Sequence, residues 1–289
     1  MIKRVLGTAL LTSILAACAG ITLMQDSLSK LDQSTHDLAT VQESYWTDLQ
    51  AADCQYQSLE SVARYYAAPA TSGVPLSSTC KATILTDDQV ELRKNLTGAL
   101  VLYVDKLQAI GTDDSDKNLT SNSESLAAAI KKAAPSVNAN ATGVEAALIA
   151  VSELALDQRR FGDIKSAAIA MNPSISSIVQ TLKNENQLFL EGYKTKSGGS
   201  EIAIRTILAA ESPRNAPSLS DLLQARTLFE ASSNSIDEAR VKKLNAALDA
   251  LASANEALAK SSAGGLRASI NDLTARVRNA RSIKSDLAN

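Results

Sequence analysis

Apolar side chains recur at helical spacing over most of the chain. Across residues 22–66, Met24, Leu28, Leu31, Leu38, Val41, Tyr45, Leu49, Ala52, Tyr56, Leu59 and Val62 follow one another at steps of three, four or seven, the mark of one helix face. Unbroken, such a helix would be ~65 Å long. Residues 67–78 (AAPATSGVPLSS) interrupt it with loop chemistry. Thr86-Asp87-Asp88-Gln89 then reads as a capping box with acidic residues in the first turn. The helix it opens carries Leu92, Leu96, Leu100, Tyr103, Leu107 and Ile110, and Gly111 is expected to end it.

Further helices are predicted over residues 121–134, before Pro135, and from Thr142-Gly143-Val144-Glu145 onward toward Phe161 and Ile169. Asn172-Pro173 reads as a break, with a helix resuming to about Lys196. Ser197-Gly198-Gly199-Ser200 reads as a flexible joint, followed by short helices over 201–211 and 219–232, the second capped by Ser218 and Asp221. Residues 235–289 are the most regular. Ser235 with Glu238 is the expected cap of a helix bearing Val241, Leu244, Leu248, Leu251, Asn255 and Leu258. Ala263-Gly264-Gly265 is the expected turn, and Leu266, Ile270, Leu273, Val277, Ala280 and Leu287 return at the same spacing. The best strand candidate, 81–85, is a fragment at most. The fold class that follows is all-α: an elongated helical bundle with a C-terminal antiparallel coiled-coil hairpin. Its expected regions are 18–134, containing a disulfide-closed loop, and 142–289.

Composition agrees. Aromatic residues make up 3% of the chain, and the apolar fraction leans on Ala and Leu, which suits helices packed closely through small side chains and disfavours a β-sandwich or an α/β enzyme. The formal net charge is −2, and its distribution is uneven. Residues 19–130 hold 15 acidic against 7 basic groups, whereas residues 236–289 hold 6 against 9.

The N-terminus changes the picture most. Lys3 and Arg4 precede thirteen mostly apolar residues, 5–17, too short at ~20 Å for a ~30 Å hydrocarbon core and well suited to a secretion segment. Leu15-Ala16-Ala17-Cys18 resembles the lipobox of bacterial lipoproteins. That resemblance implies removal of a signal peptide, 1–17, and a mature chain held by acyl chains on Cys18, two or three of which anchor far more firmly than one. In such lipoproteins Asp after the cysteine favours inner-membrane retention; Ala19 stands there instead, so the expected address is the periplasmic face of the outer membrane. The C-terminal Ser285-Asp286-Leu287-Ala288-Asn289 lacks the terminal lysine by which the small murein lipoprotein joins the cell wall.

In that oxidising compartment Cys54 and Cys80 are expected to form a disulfide. Little else suggests chemistry. His36 is the single histidine and is expected to face solvent, which leaves no set for a triad or a His-rich metal centre. Asp113, Asp114 and Asp116 lack the glycine and glutamate of a calcium loop. No phosphate-binding loop or nucleophile elbow appears. No cofactor, metal or catalytic residue is expected, and nucleic acid is an unexpected partner for an acidic envelope protein.

Two groups invite recognition. Tyr45, Trp46, Tyr65 and Tyr66, with Tyr56, lie near the expected disulfide and would either fill a core or line a ligand pocket. Arg267, Arg278 and Arg281 fall roughly on one helix face and would be either a solvated surface or an anion site. The expected role is structural: a lipid-anchored scaffold binding another envelope protein or the cell wall. A ligand-binding or transport-accessory lipoprotein using the 45–66 aromatics is the alternative.

Overall fold

The computed structural model describes residues 3–67, 81–112, 161–209, 237–260 and 263–286. These hold five α-helices and no strand: α1 Lys3–Ala67, α2 Asp87–Thr112, α3 Phe161–Ala209, α4 Glu238–Lys260 and α5 Ala263–Asp286. The helices pack against one another as an all-α bundle. None among the described residues is long and apolar enough to cross a membrane. The helices expected at 121–134 and 219–232, and the cap at Thr142, lie outside the described residues.

The face that α1 buries is more regular than its apolar residues alone suggest. Leu28, Leu31, Thr35, Leu38, Gln42, Tyr45, Leu49 and Ala52 are all buried, at alternating steps of three and four. Thr35 and Gln42 hold heptad positions that an apolar count skips. Thr35 satisfies itself by donating to the Leu31 carbonyl one turn back, at 2.8 Å. Gln42 has a partner from another helix, described below.

The expected start of α2 is confirmed. The Thr86 amide donates to Gln89 Oε1 at 2.9 Å, and the Gln89 amide returns to Thr86 Oγ1 at 3.4 Å. At the other end Gly111 lies within the last turn of α2. A Cβ there would stand 2.6 Å from Leu28 Cδ1, so the glycine permits a close approach.

Four expectations are corrected. First, α3 runs unbroken through Asn172-Pro173. Pro173 removes one amide from the ladder, but the carbonyl it leaves, that of Ile169, belongs to a residue 54% exposed, where water can serve it. Second, Ser197-Gly198-Gly199-Ser200 is helix rather than joint, and residues 201–209 continue the same helix. A Cβ at Gly199 would lie 2.8 Å from the Tyr56 hydroxyl, which makes this glycine a packing choice. Third, Asp237 caps α4: its Oδ1 accepts the Arg240 amide at 2.6 Å. Ser235 lies outside the described residues. Fourth, Ala263-Gly264-Gly265 is the first turn of α5 rather than the expected turn between helices.

The chain divides into two compact units, each assembled from stretches of every helix. The first comprises Met1–Ala39, Asn95–Thr181 and Ala246–Arg278. Its core includes Leu28, Leu31, Leu100, Leu107, Ile175, Ile178, Leu251, Leu258, Ile270 and Leu273. Inside it, the Tyr103 hydroxyl donates to Asn255 Oδ1, and Asn255 Nδ2 donates to Asn172 Oδ1 at 3.0 Å. Ser34 and Thr274 share a hydrogen bond of 2.9 Å.

The second unit comprises Thr40–Lys94, Leu182–Asn245 and Asn279–Asn289. Tyr45, Trp46, Leu49, Leu85, Leu182, Leu190 and Leu244 are fully buried there. Gln42 and Asn186 exchange two amide hydrogen bonds, 2.6 and 3.0 Å, and Asn186 Nδ2 also donates to Asn245 Oδ1 at 3.1 Å. Arg93 pairs with Glu185 at 2.9 Å and lies over the Phe189 ring at 4.6 Å. Arg240 pairs with Asp48 at 2.7 Å and lies over Tyr45 at 5.4 Å.

Candidate functional site

Among the described residues, the sequence-predicted side chains divide between the units: Arg267 and Arg278 belong to the first, Tyr45, Trp46, Cys54 and Arg281 to the second. Tyr45 and Trp46 are 0% exposed; they face the core of the second unit, not an open groove. The Tyr45 hydroxyl donates to the Asn186 carbonyl at 3.3 Å, and burial pushes its pKa well above the usual phenol range. Tyr65 and Tyr66 belong to α1, but their side chains lie outside the described residues, as does that of Cys18. Cys54 is half-buried on α1, and its expected partner Cys80 lies outside the described residues.

On α5, Arg267, Arg278 and Arg281 are all exposed. Arg267 borders a shallow depression of the first unit with Asp26, Ser27, Lys30, Ile270 and Asn271. Nearby in sequence, Arg276 is taken up by Asp272 at 2.8 Å.

Sequence reasoning missed a different cluster. Asp32 and His36 stand one turn apart on α1, a spacing that puts them on one helix face. Asp105 of α2 meets them there: His36 Nε2 lies 3.0 Å from Asp105 Oδ1 and 3.7 Å from Asp32 Oδ1. His36 is half-exposed, as expected, but it is engaged with two carboxylates rather than with solvent alone. Burial first, then the hydrogen bond and the like charge of Asp105, push the Asp32 carboxyl up to about 6, against the opposing pull of His36. Asp32 Oδ1 is shielded from solvent and has no hydrogen-bond partner. The Asp32-x₃-His36 spacing was visible in the sequence. Its third member, 69 residues from His36, was not.

A second polar centre is structural. Asp53, whose side chain is 0% exposed, accepts from the amides of Thr83 and Ile84 and from Lys196. Burial alone would raise its pKa, but these donors together hold it below the usual carboxylate range. They pin residues 83–84 against α1, where the expected strand fragment is instead a bend. Adjoining this, Gln50 Nε2 donates to the Leu85 carbonyl and to Asp87 Oδ1, both at 3.0 Å, and Gln57 Nε2 donates to the Lys81 carbonyl at 3.1 Å.

The class that these observations define is an all-α bundle with buried polar networks. No family model, curated protein or solved structure matches the chain significantly.

Proposed function

We propose that this chain is a lipid-anchored protein of the cell envelope, at the periplasmic face of the outer membrane, whose helical body serves as an interaction scaffold. The observation that carries the reading is Leu15-Ala16-Ala17-Cys18 behind a Lys3-Arg4 charge pair and a thirteen-residue apolar run. Its acyl chains would hold the protein at the bilayer, and its partner would be another envelope protein or the cell wall. Tyr45 and Trp46 are buried in the core, where they cannot line an open ligand pocket.

The test is metabolic labelling of cells with a tagged fatty acid. Wild-type protein should be labelled and shortened by 17 residues, and Cys18→Ser should be neither. An unlabelled wild type, or a labelled Cys18→Ser protein, would overturn the assignment. The proposed Cys54–Cys80 bridge follows from the same address. Alkylation without reductant should leave both thiols unmodified, and free thiols in the envelope fraction would remove the bridge. Crosslinking in cells would then name the partner.

A further inference from the structure

We propose that Asp32, His36 and Asp105 form a binding site for a first-row divalent cation of the zinc class. The inference stands independently of the lipid anchor. Ligand atoms that sit ~2.0–2.2 Å from such an ion lie ~3–4 Å from one another around it. Here His36 Nε2 stands 3.0 and 3.7 Å from the two carboxylate oxygens, and all three ligand atoms fall within 4.8 Å of one another. Small side-chain adjustments would bring them onto one ion.

The second observation is the orphan oxygen. Asp32 Oδ1 lies out of solvent with no hydrogen-bond partner, beside a second carboxylate of the same charge. A shielded acceptor without a donor is unfavourable, and a dication would answer both that oxygen and the like charge of Asp105. One imidazole nitrogen and two carboxylate oxygens suit zinc, manganese or cobalt better than calcium, which takes six to eight oxygens. The side chains of His36, Asp32 and Asp105 are 48%, 20% and 28% exposed. An ion can therefore enter without opening the bundle, and water would complete its coordination.

His36 is the single histidine in the chain, so its imidazole signals need no assignment. The experiment titrates Zn²⁺ into the full chain, made with ¹³C-labelled histidine, without a polyhistidine tag and in buffer free of chelator. The imidazole resonances should shift saturably at one equivalent of Zn²⁺ and return with EDTA. The Asp32→Asn/Asp105→Asn protein should bind at least ~10-fold more weakly, while Asp37→Asn on the same helix should bind as wild type. Imidazole signals unmoved by millimolar Zn²⁺ would overturn the proposal. So would equal binding by the double variant, which would mark adventitious coordination by His36 alone. Because the wild-type titration suffices for refutation, a misfolded double variant would not rescue the idea; circular dichroism without metal checks its helicity.

Discussion

Removing the Asp53 carboxylate should loosen the second unit by an amount that the structure sets. Its Oδ2 accepts the Ile84 amide at 2.9 Å, the Thr83 amide, and the Thr83 hydroxyl at 3.2 Å, while Oδ1 accepts Lys196 Nζ at 2.9 Å. Breaking a buried ion pair costs ~3–5 kcal/mol where the survivors stay dry. Here the Lys196 side chain is 32% exposed and Thr83 is exposed, so both regain water. Asp53→Ala should therefore destabilise by ~2–3 kcal/mol, a fall of roughly 5–10 °C at ~2–4 °C per kcal/mol. Asp53→Asn keeps an acceptor without the charge and should lose about half as much. The depressed folded pKa gives the pH signature. The contribution is full above the unfolded value of 3.8 and is lost as pH falls through the lower folded value. The wild type should thus lose stability on acidification more steeply than Asp53→Asn. Trp46, the single tryptophan, is fully buried in this unit, so its fluorescence in urea reports the transition directly. An Ala variant unfolding at the wild-type urea midpoint, or parallel pH profiles, would refute the reasoning.

Three further outcomes are expected. Tyr103→Phe strands the Oδ1 acceptor of buried Asn255 and should cost ~1–2 kcal/mol in urea denaturation followed by circular dichroism; an unchanged midpoint would show that this hydrogen bond contributes nothing. With chelator present, the raised folded pKa of Asp32 should make wild-type stability fall as pH rises from about 4 to about 6. Asp32→Asn should lack that decline and melt higher at pH 7, and a variant that melts lower there would reverse the sign of the argument. Pro173→Ala restores an amide at an exposed position inside α3 and should stabilise by ~1–3 kcal/mol; a helix that truly broke at this proline would gain nothing.

The parts of this fold legible in the sequence were those carried by local rules. The capping box at Thr86 and Gln89 needs only four consecutive residues, and it forms as read. The α4 stripe from Val241 to Leu258 is buried throughout, its Asn255 included. Errors arose where tertiary contacts overrode local preference. Gly198-Gly199 reads as a joint by composition, but only the structure reveals that Tyr56 occupies the space a Cβ at Gly199 would fill. Pro173 reads as a stop, yet helix continues on both sides, with Met171 and Ile175 buried in the core. In the candidate site, Asp32 and His36 are one turn apart and could be paired by eye. Nothing in a single sequence selects Asp105 from the other acidic residues, because that choice depends on which turn of α2 lies opposite.

The buried amides answer a problem that this composition creates. Leucine and alanine stripes at heptad spacing match themselves again one heptad along, so apolar packing alone discriminates weakly between registers. A polar residue at a core position removes that degeneracy, since sliding the helix would leave a dry donor or acceptor unmade at ~1–3 kcal/mol each. The second unit carries such a device in Gln42, Asn186 and Asn245, which join α1, α3 and α4. The first carries its own in Tyr103, Asn172 and Asn255, which join α2, α3 and α4. Each device ties three helices at one level, and no residue is shared between them. In each unit these hydrogen bonds add a register preference to the one that apolar packing supplies. That accounts for polar residues at heptad positions where leucine would bury more apolar surface.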